Sequence, residues 1–203
     1  MLTNAVRMYA QTFHPKTPIY HDLYAFAWGC IFCYGSKVGW YHTIYLPIIL
    51  IEMELGLPSV LGALDECTLV LVCAGICFGQ CLFLSKEKDA SQYSLCKRAL
   101  LINILCGDFI EVAYPFMENS IIINLFAYLA SGLSASILLH RPAGHHVMSS
   151  AYLPLPVSVF ISNDWKRMLL ASIVSFTVSF LGVFCHKTLT RLRYLRITQD
   201  KKE

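Results

Sequence analysis

Residues 97–115 read KRALLINILCGDFIEVAYP. The stretch opens on the bases Lys97 and Arg98 and is then apolar except for Asn103, Asp108, Glu111 and a closing Tyr114-Pro115. About 20 apolar residues in a helix cross the roughly 30 Å hydrocarbon core of a bilayer. The stretch is therefore predicted to span, and spanning would put a carboxylate near mid-depth. An acidic side chain there costs about 2.5 kcal/mol or more on insertion scales, so it marks a functional position by default. Asn103, Gly107, Glu111 and Tyr114 recur at helical spacing and would share a face, with Asp108 beside it. Such a stripe can line an aqueous path, relay a proton, or meet a polar group on a neighbouring helix.

The composition agrees. The chain has 203 residues, 56% hydrophobic and 14% charged, against about 25% charged in soluble domains. The fold expected is all-α: a polytopic transmembrane bundle formed by residues 22–185, between a polar arm at 1–21 and a basic tail at 186–203. The net charge of +3 is small. The bases gather at the ends of apolar runs and in the tail, which suits membrane orientation and a lipid surface rather than nucleic acid. Of nine cysteines, most lie inside apolar runs. Cys73, Cys77 and Cys81 share a helix face, where small polarisable side chains pack.

Apolar runs at 22–36, 38–52, 68–85, 97–115, 120–140, 151–162 and 168–185 are the expected spans. Gly56 to Glu66 reads as a connector closed by the acidic pair Asp65-Glu66. Trp40 and Tyr41 suit an interfacial belt. Pro47, Pro154 and Pro156 fall in apolar runs, where proline removes a backbone donor and crowds the preceding turn. They are the hinge candidates. The short run 151–162 decides between six and seven crossings. If it crosses, the basic loop with Lys86, Lys88, Lys97 and Arg98 shares a side with the basic tail. If it alone does not, the two fall on opposite sides, against the positive-inside bias. Seven spans are expected, with the N-terminus outside or lumenal and the C-terminus cytoplasmic.

Two fragments look alike. Lys37-Val-Gly-Trp-Tyr-His42 leads to Tyr45-Leu46-Pro47, and Arg141-Pro-Ala-Gly-His145-His146 leads to Tyr152-Leu153-Pro154. A three-helix repeat about an axis along the membrane normal needs one extra span to keep both copies in one orientation. Residues 97–115 would be that linker. This three-plus-one-plus-three layout resembles the architecture of SWEET-type and PQ-loop transporters, although the chain carries no diagnostic motif of either. In such a layout the linker lies off the substrate path.

The function expected is a small transporter or channel for a small solute or ion. Asp108, Glu111, Asn103 and His42 are the pathway candidates. The alternative is a non-catalytic structural or accessory subunit of a larger membrane complex, its carboxylates paired with a partner helix; a homo-oligomer falls within the same expectation. A lipid-directed enzyme using His140, His145 and His146 is the weakest reading. No nucleotide-binding glycine loop, nucleophile elbow or paired-histidine zinc motif is present in the sequence. No catalytic residue, cofactor or metal is assigned.

Overall fold

A computed structural model describes residues 18–56, 58–84, 89–108, 110–140 and 145–200. The first part of the polar arm, Lys86, Lys88, Arg141 and the last three residues lie outside them. Among the described residues the chain is helical, without strands. The helices are α1 (Pro18–Lys37), α2 (Leu46–Glu54), α3 (Val60–Phe83), α4 (Ala90–Cys106), α5 (Tyr114–Asn119), α6 (Ile121–Leu139), α7 (Leu155–Ile161) and α8 (Trp165–Asp200). α8 runs unbroken past the point where the basic tail begins.

Among the described residues three helices are long and apolar enough to cross a membrane: α3, α6 and α8 as far as Arg193. Within its apolar window α3 is 89% buried, against 44% and 39% for the other two. It is therefore the central post, and α6 and α8 carry the outward apolar faces. Leu125, Leu129 and Leu133 on α6, and Leu170, Ile173 and Phe184 on α8, are exposed. Apolar side chains in such rows suit lipid.

α3 begins earlier than the sequence suggests. Ser59 caps it, its hydroxyl accepting from the Gly62 N–H at 2.9 Å. The acidic pair Asp65-Glu66 thus lies inside the helix rather than in a connector. Directly after the pair the helix widens into a π turn, Glu66–Val70, in which the Leu71 N–H reaches back five residues to Glu66 O. Neighbouring serines bond the carbonyls of this turn. Ser131 donates to Thr68 O at 2.6 Å and Ser175 to Cys67 O at 2.5 Å. Each such bond contributes about 1 kcal/mol, and leaving a buried carbonyl unmet costs about 1–3 kcal/mol. α8 approaches α3 closely, because a Cβ on Gly75 would meet Ser179 Oγ and the Phe176 carbonyl.

The contacts fix the direction of each helix. α3 and α8 run parallel: Cys67 meets Met168 at 3.7 Å, and Phe83 meets Phe184 at 6.0 Å between ring centroids. α6 runs against both. Its serines 131 and 134 reach Thr68 and Cys67, while the Ser120 cap before it meets His186 at 2.8 Å. α1 runs against α6, since Asp22 binds His140 at 2.7 Å and Cys30 reaches Tyr128 O. So α1, α3 and α8 start at one end of the bundle, called here the upper end. α2 returns along α1, with Tyr45 against Phe32 and Trp28.

Two stretches depart from the expected crossings. Residues 97–115 are not one helix. α4 stops at Gly107, which takes φ +63°, and Ile110–Ala113 forms a single 3-10 turn before α5. α4 rises from the lower end, with Cys96 beside Cys77, until Gly107 meets the level of Glu66. α5 then descends past Ser36, whose hydroxyl lies 2.5 Å from that of Tyr114, to Ser120 at the lower end. The stretch enters and leaves at the same end. The left-handed residue at Gly107 also ends the predicted face: Glu111 and Tyr114 no longer continue the line of Asn103.

Residues 145–164 do the same from the upper end. α6 ends and α8 begins there. Arg167 on α8 donates to His140 O at 2.5 Å and His145 O at 2.8 Å, and pairs with Asp164 at 2.7 Å. That hydrogen bond holds the Asp164 carboxyl below its usual range. Ser59 and Ser149 exchange backbone bonds of 2.9 and 3.0 Å. The short α7 therefore does not carry the chain across, and the seven-span count is not what the fold displays. The charge argument had tested the loss of one crossing. Losing two restores the parity: the Lys97–Arg98 end of α4 and the lower part of α8 still share an end.

Pro154 and Pro156 sit at the start of α7, whereas Pro47 lies inside a continuous helical run, 40–54. Pro154 precedes α7 and Pro156 is in its first turn. Pro47 is in the first turn of α2, directly after a second π turn, Tyr41–Tyr45. There the Leu46 N–H bonds Tyr41 O, five residues back, and the wider turn makes room for the proline ring.

Candidate functional site

The tips of the two returning stretches meet beside α3. Gly107 comes from below and Leu153 from above; a Cβ on Gly107 would stand 2.9 Å from Leu153 O and 3.0 Å from Leu153 N. Tyr152, next to this contact, has φ 57°, a strained value for a residue with a large side chain. Irregular backbone at membrane depth is tolerated where protein buries it or where it lines a water-filled cavity. Here the irregular backbone packs against α3 and borders a cavity.

A cavity of about 200 Å³ opens at this junction. A liquid water takes about 30 Å³, so the space holds several. Tyr41, His42 and Leu46 line it from the π turn and start of α2, Asp65 and Val70 from α3. Gly107, Asp108, Ile110 and Glu111 line it from the break between α4 and α5, and Tyr152 closes it from above. Three carboxyl groups thus face one small space, Asp65, Asp108 and Glu111, and His42 is the one basic residue among its lining.

The groups differ in burial. Asp65 is 1% exposed, and its Oδ1 has no hydrogen-bond partner. The Tyr41 hydroxyl bonds Asp65 and lies 2.8 Å from the Tyr152 hydroxyl. Both bonds are met when Tyr152 donates to Tyr41 and Tyr41 to Asp65. Glu111 and His42 stand at the mouth, with side chains 48% and 52% exposed and Oε1 to Nε2 at 3.7 Å. A carboxyl deep in the wall and a half-exposed acid–base pair at the rim make a graded path from solvent to the interior. The carboxyl end of α4 points its last carbonyls at the same place, adding partial negative charge. The site is built to draw in positive charge.

Of the sequence candidates, Asp108, Glu111 and His42 come together in this cavity. Asn103 is fully buried one turn before Gly107, and neither of its side-chain polar atoms has a partner. The proline candidates flank the site through the segments they start. Three side chains that line the cavity were missed from the sequence: Asp65, read as part of a connector, Tyr41, read as an interfacial aromatic, and Tyr152. A signal existed for the first. Pro58-Ser59 ahead of an apolar run is a helix-start pattern, and it would have put Asp65 inside the helix. Three histidines outside the cavity join elements at the upper end: His140 through Asp22, and His146 stacked on His21 at 6.1 Å. No cluster of three or more metal-ligating side chains occurs among the described residues.

No family model, curated protein or solved structure matches the chain. The reading of the site therefore stands on its chemistry alone.

Proposed function

We propose that this chain is a small multi-pass membrane transporter or channel for a small cation, with Asp65, Asp108 and Glu111 as its binding groups. The observation that carries the reading is the fully buried Asp65 carboxyl lining a water-sized cavity that no Lys or Arg lines. A buried charge without a counter-charge is expensive, and a visiting cation or proton offsets that cost. The tyrosine pair gives Asp65 a fixed orientation. His42 and Glu111 gate the rim, attracting each other when the cavity is empty and parting when a cation displaces the imidazole.

In this reading α3, α6 and α8 cross, α1 and α2 run down and back beside them, and the two returning stretches do not cross. The positive-inside bias then makes the lower end, with Lys37, Lys97, Arg98 and the tail, cytoplasmic. The long–short–long order of α1–α3 recurs in α6–α8, with α4 and α5 as the connection between them; α6 runs against α1 while α8 runs with α3, so the two triplets do not share the one orientation that the duplicated layout drawn from the sequence requires. Unlike the expected linker, this one contributes directly to the site.

The test is cation uptake into liposomes that contain only the purified chain. Monovalent cation flux above that of protein-free vesicles is expected, falling steeply when Asp108→Asn and Glu111→Gln are combined. Flux absent from the pure chain, together with stoichiometric co-purification of unrelated chains, would favour the accessory-subunit reading instead.

A further inference from the structure

The cavity wall carries a chain of hydroxyls that ends on a carboxyl. Tyr152 and Tyr41 lie 2.8 Å apart, oxygen to oxygen, and the Tyr41 hydroxyl also bonds Asp65. The three groups come from the upper returning stretch, the π turn before α2 and the first turns of α3, and all three line the cavity. Each hydroxyl both donates and accepts, so the bond between the tyrosines can run in either direction. Asp65 is 1% exposed and keeps one carboxyl oxygen, Oδ1, without a partner.

The wall beside this chain is tightly packed. At Gly107 even an added methyl does not fit, because it would meet Glu66 Oε2 at 2.8 Å and the Leu153 backbone at 2.9 and 3.0 Å. A metal cation moves with a shell of oxygen ligands and needs an opening of that width. A proton needs only a line of hydrogen-bonded groups, and it passes between them without an opening. Cavity waters bring the proton as far as Tyr152, since the space holds several of them. Asp108, Glu111 and His42 line the same space and collect protons from it; Glu66, the sequence neighbour of Asp65, is buried and is not among the lining residues.

We propose that the cation taken up by Asp65 is a proton, delivered along the hydroxyls of Tyr152 and Tyr41. A hydronium ion in the cavity gives a proton to the Tyr152 oxygen. Tyr152 passes its own hydroxyl proton to Tyr41, and Tyr41 passes its own to the Asp65 carboxylate. One water and one neutral carboxylic acid result, and neither tyrosine changes charge. Both hydroxyls then point back toward the cavity, and each turns about its C–O bond before the next transfer. The inference rests on the transport reading for passage across the bilayer, and it adds which ion the buried carboxyl takes and by what route.

The experiment places the purified full chain in liposomes that hold a pH-sensitive dye, with valinomycin and potassium supplying the counter-charge. Matched vesicles without the ionophore report sodium and potassium entry. Proton entry should exceed that of protein-free vesicles, while sodium and potassium entry stay at the protein-free level. Proton entry should also be slower in D2O, a change that a merely structural role of the tyrosines would not produce. Tyr41→Phe keeps the ring and removes the middle hydroxyl; it should cut proton entry by about 100-fold, the low end for a positioned proton-transfer group. Tyr152→Phe should cut it by about tenfold, because a cavity water can stand in for that hydroxyl. Melting curves show which variants are folded, and Tyr152→Phe carries the test if Tyr41→Phe is not. Sodium or potassium entry without proton entry overturns the proposal and leaves the cation reading standing, whereas entry of no ion overturns both. Alkali entry equal to proton entry, a rate unchanged in D2O, or full proton entry in a folded tyrosine variant also overturns it.

Discussion

Gly107→Ala lowers the melting temperature of the purified chain by roughly 6–15 °C, whereas Gly56→Ala lowers it by only about 3–6 °C, at about 3 °C per kcal/mol. Both glycines have left-handed backbone, φ +63° and +65°, and alanine pays about 1–2 kcal/mol there. At Gly56 nothing stands within 4 Å of the added methyl. At Gly107 the methyl meets Glu66 Oε2 at 2.8 Å and the Leu153 backbone at 2.9 and 3.0 Å. Overpacking of this kind costs a further 1–3 kcal/mol, roughly. The Leu153 backbone cannot swing aside as a surface side chain would, because Tyr152 before it is anchored through its hydroxyl to Tyr41. The difference between the two variants isolates the meeting of the two tips. Equal melting of both would mean that Gly107 and Leu153 are not packed together.

Asp65→Asn reduces cation flux by about 30- to 150-fold while leaving the melting temperature unchanged or higher. A charged hydrogen-bonding contact to a bound ion is worth roughly 2–3 kcal/mol, and each 1.4 kcal/mol is tenfold. The isosteric amide keeps the bond to Tyr41 and removes a buried, unpaired carboxyl oxygen, so stability does not suffer. Glu111→Gln has a smaller effect, about threefold, and that effect shrinks at high salt, because its carboxylate is half exposed and screened. Flux measured beside melting separates function from folding. A flux equal in Asp65→Asn and wild type would remove the buried carboxyl from the path.

Several features of this fold were legible in the sequence. The spans at 120–140 and 168–185 correspond to α6 and the apolar part of α8, because long apolar runs have one solution in lipid. Asp108, Glu111 and His42 were singled out as misplaced polarity, and they converge on one cavity. What failed was continuity. Residues 97–115 have the composition of a span, yet Gly107 turns the chain back, and nothing in hydropathy separates a crossing from a helical pair that goes in and returns. The same blindness applied to 151–162. The charge bias reports only whether crossings are odd or even between two basic segments, so it does not distinguish seven crossings from five. Asp65 escaped notice for another reason. Two adjacent acids look like the end of a run, and the cost of burying Asp65 is offset only through Tyr41 and the cavity, contacts with residues distant in sequence. The π turns at Glu66–Val70 and Tyr41–Tyr45 have no local signature beyond Pro47, since tertiary bonds from Ser131 and Ser175 stabilise the first of them.

The central claim is that α3 crosses the bilayer with its acidic cavity inside the hydrocarbon layer. Asp65 lies five residues into α3, about 7.5 Å along its axis from Val60 at 1.5 Å per residue. The most direct measurement is the structure of the chain in a lipid nanodisc, oriented by a bound antibody fragment. The account predicts the Asp65 carboxyl within about 10 Å of one edge of the hydrocarbon layer, with the tips at Gly107 and Leu153 meeting beside it. An α3 lying flat at the headgroups, or a cavity standing wholly in bulk water, would contradict it.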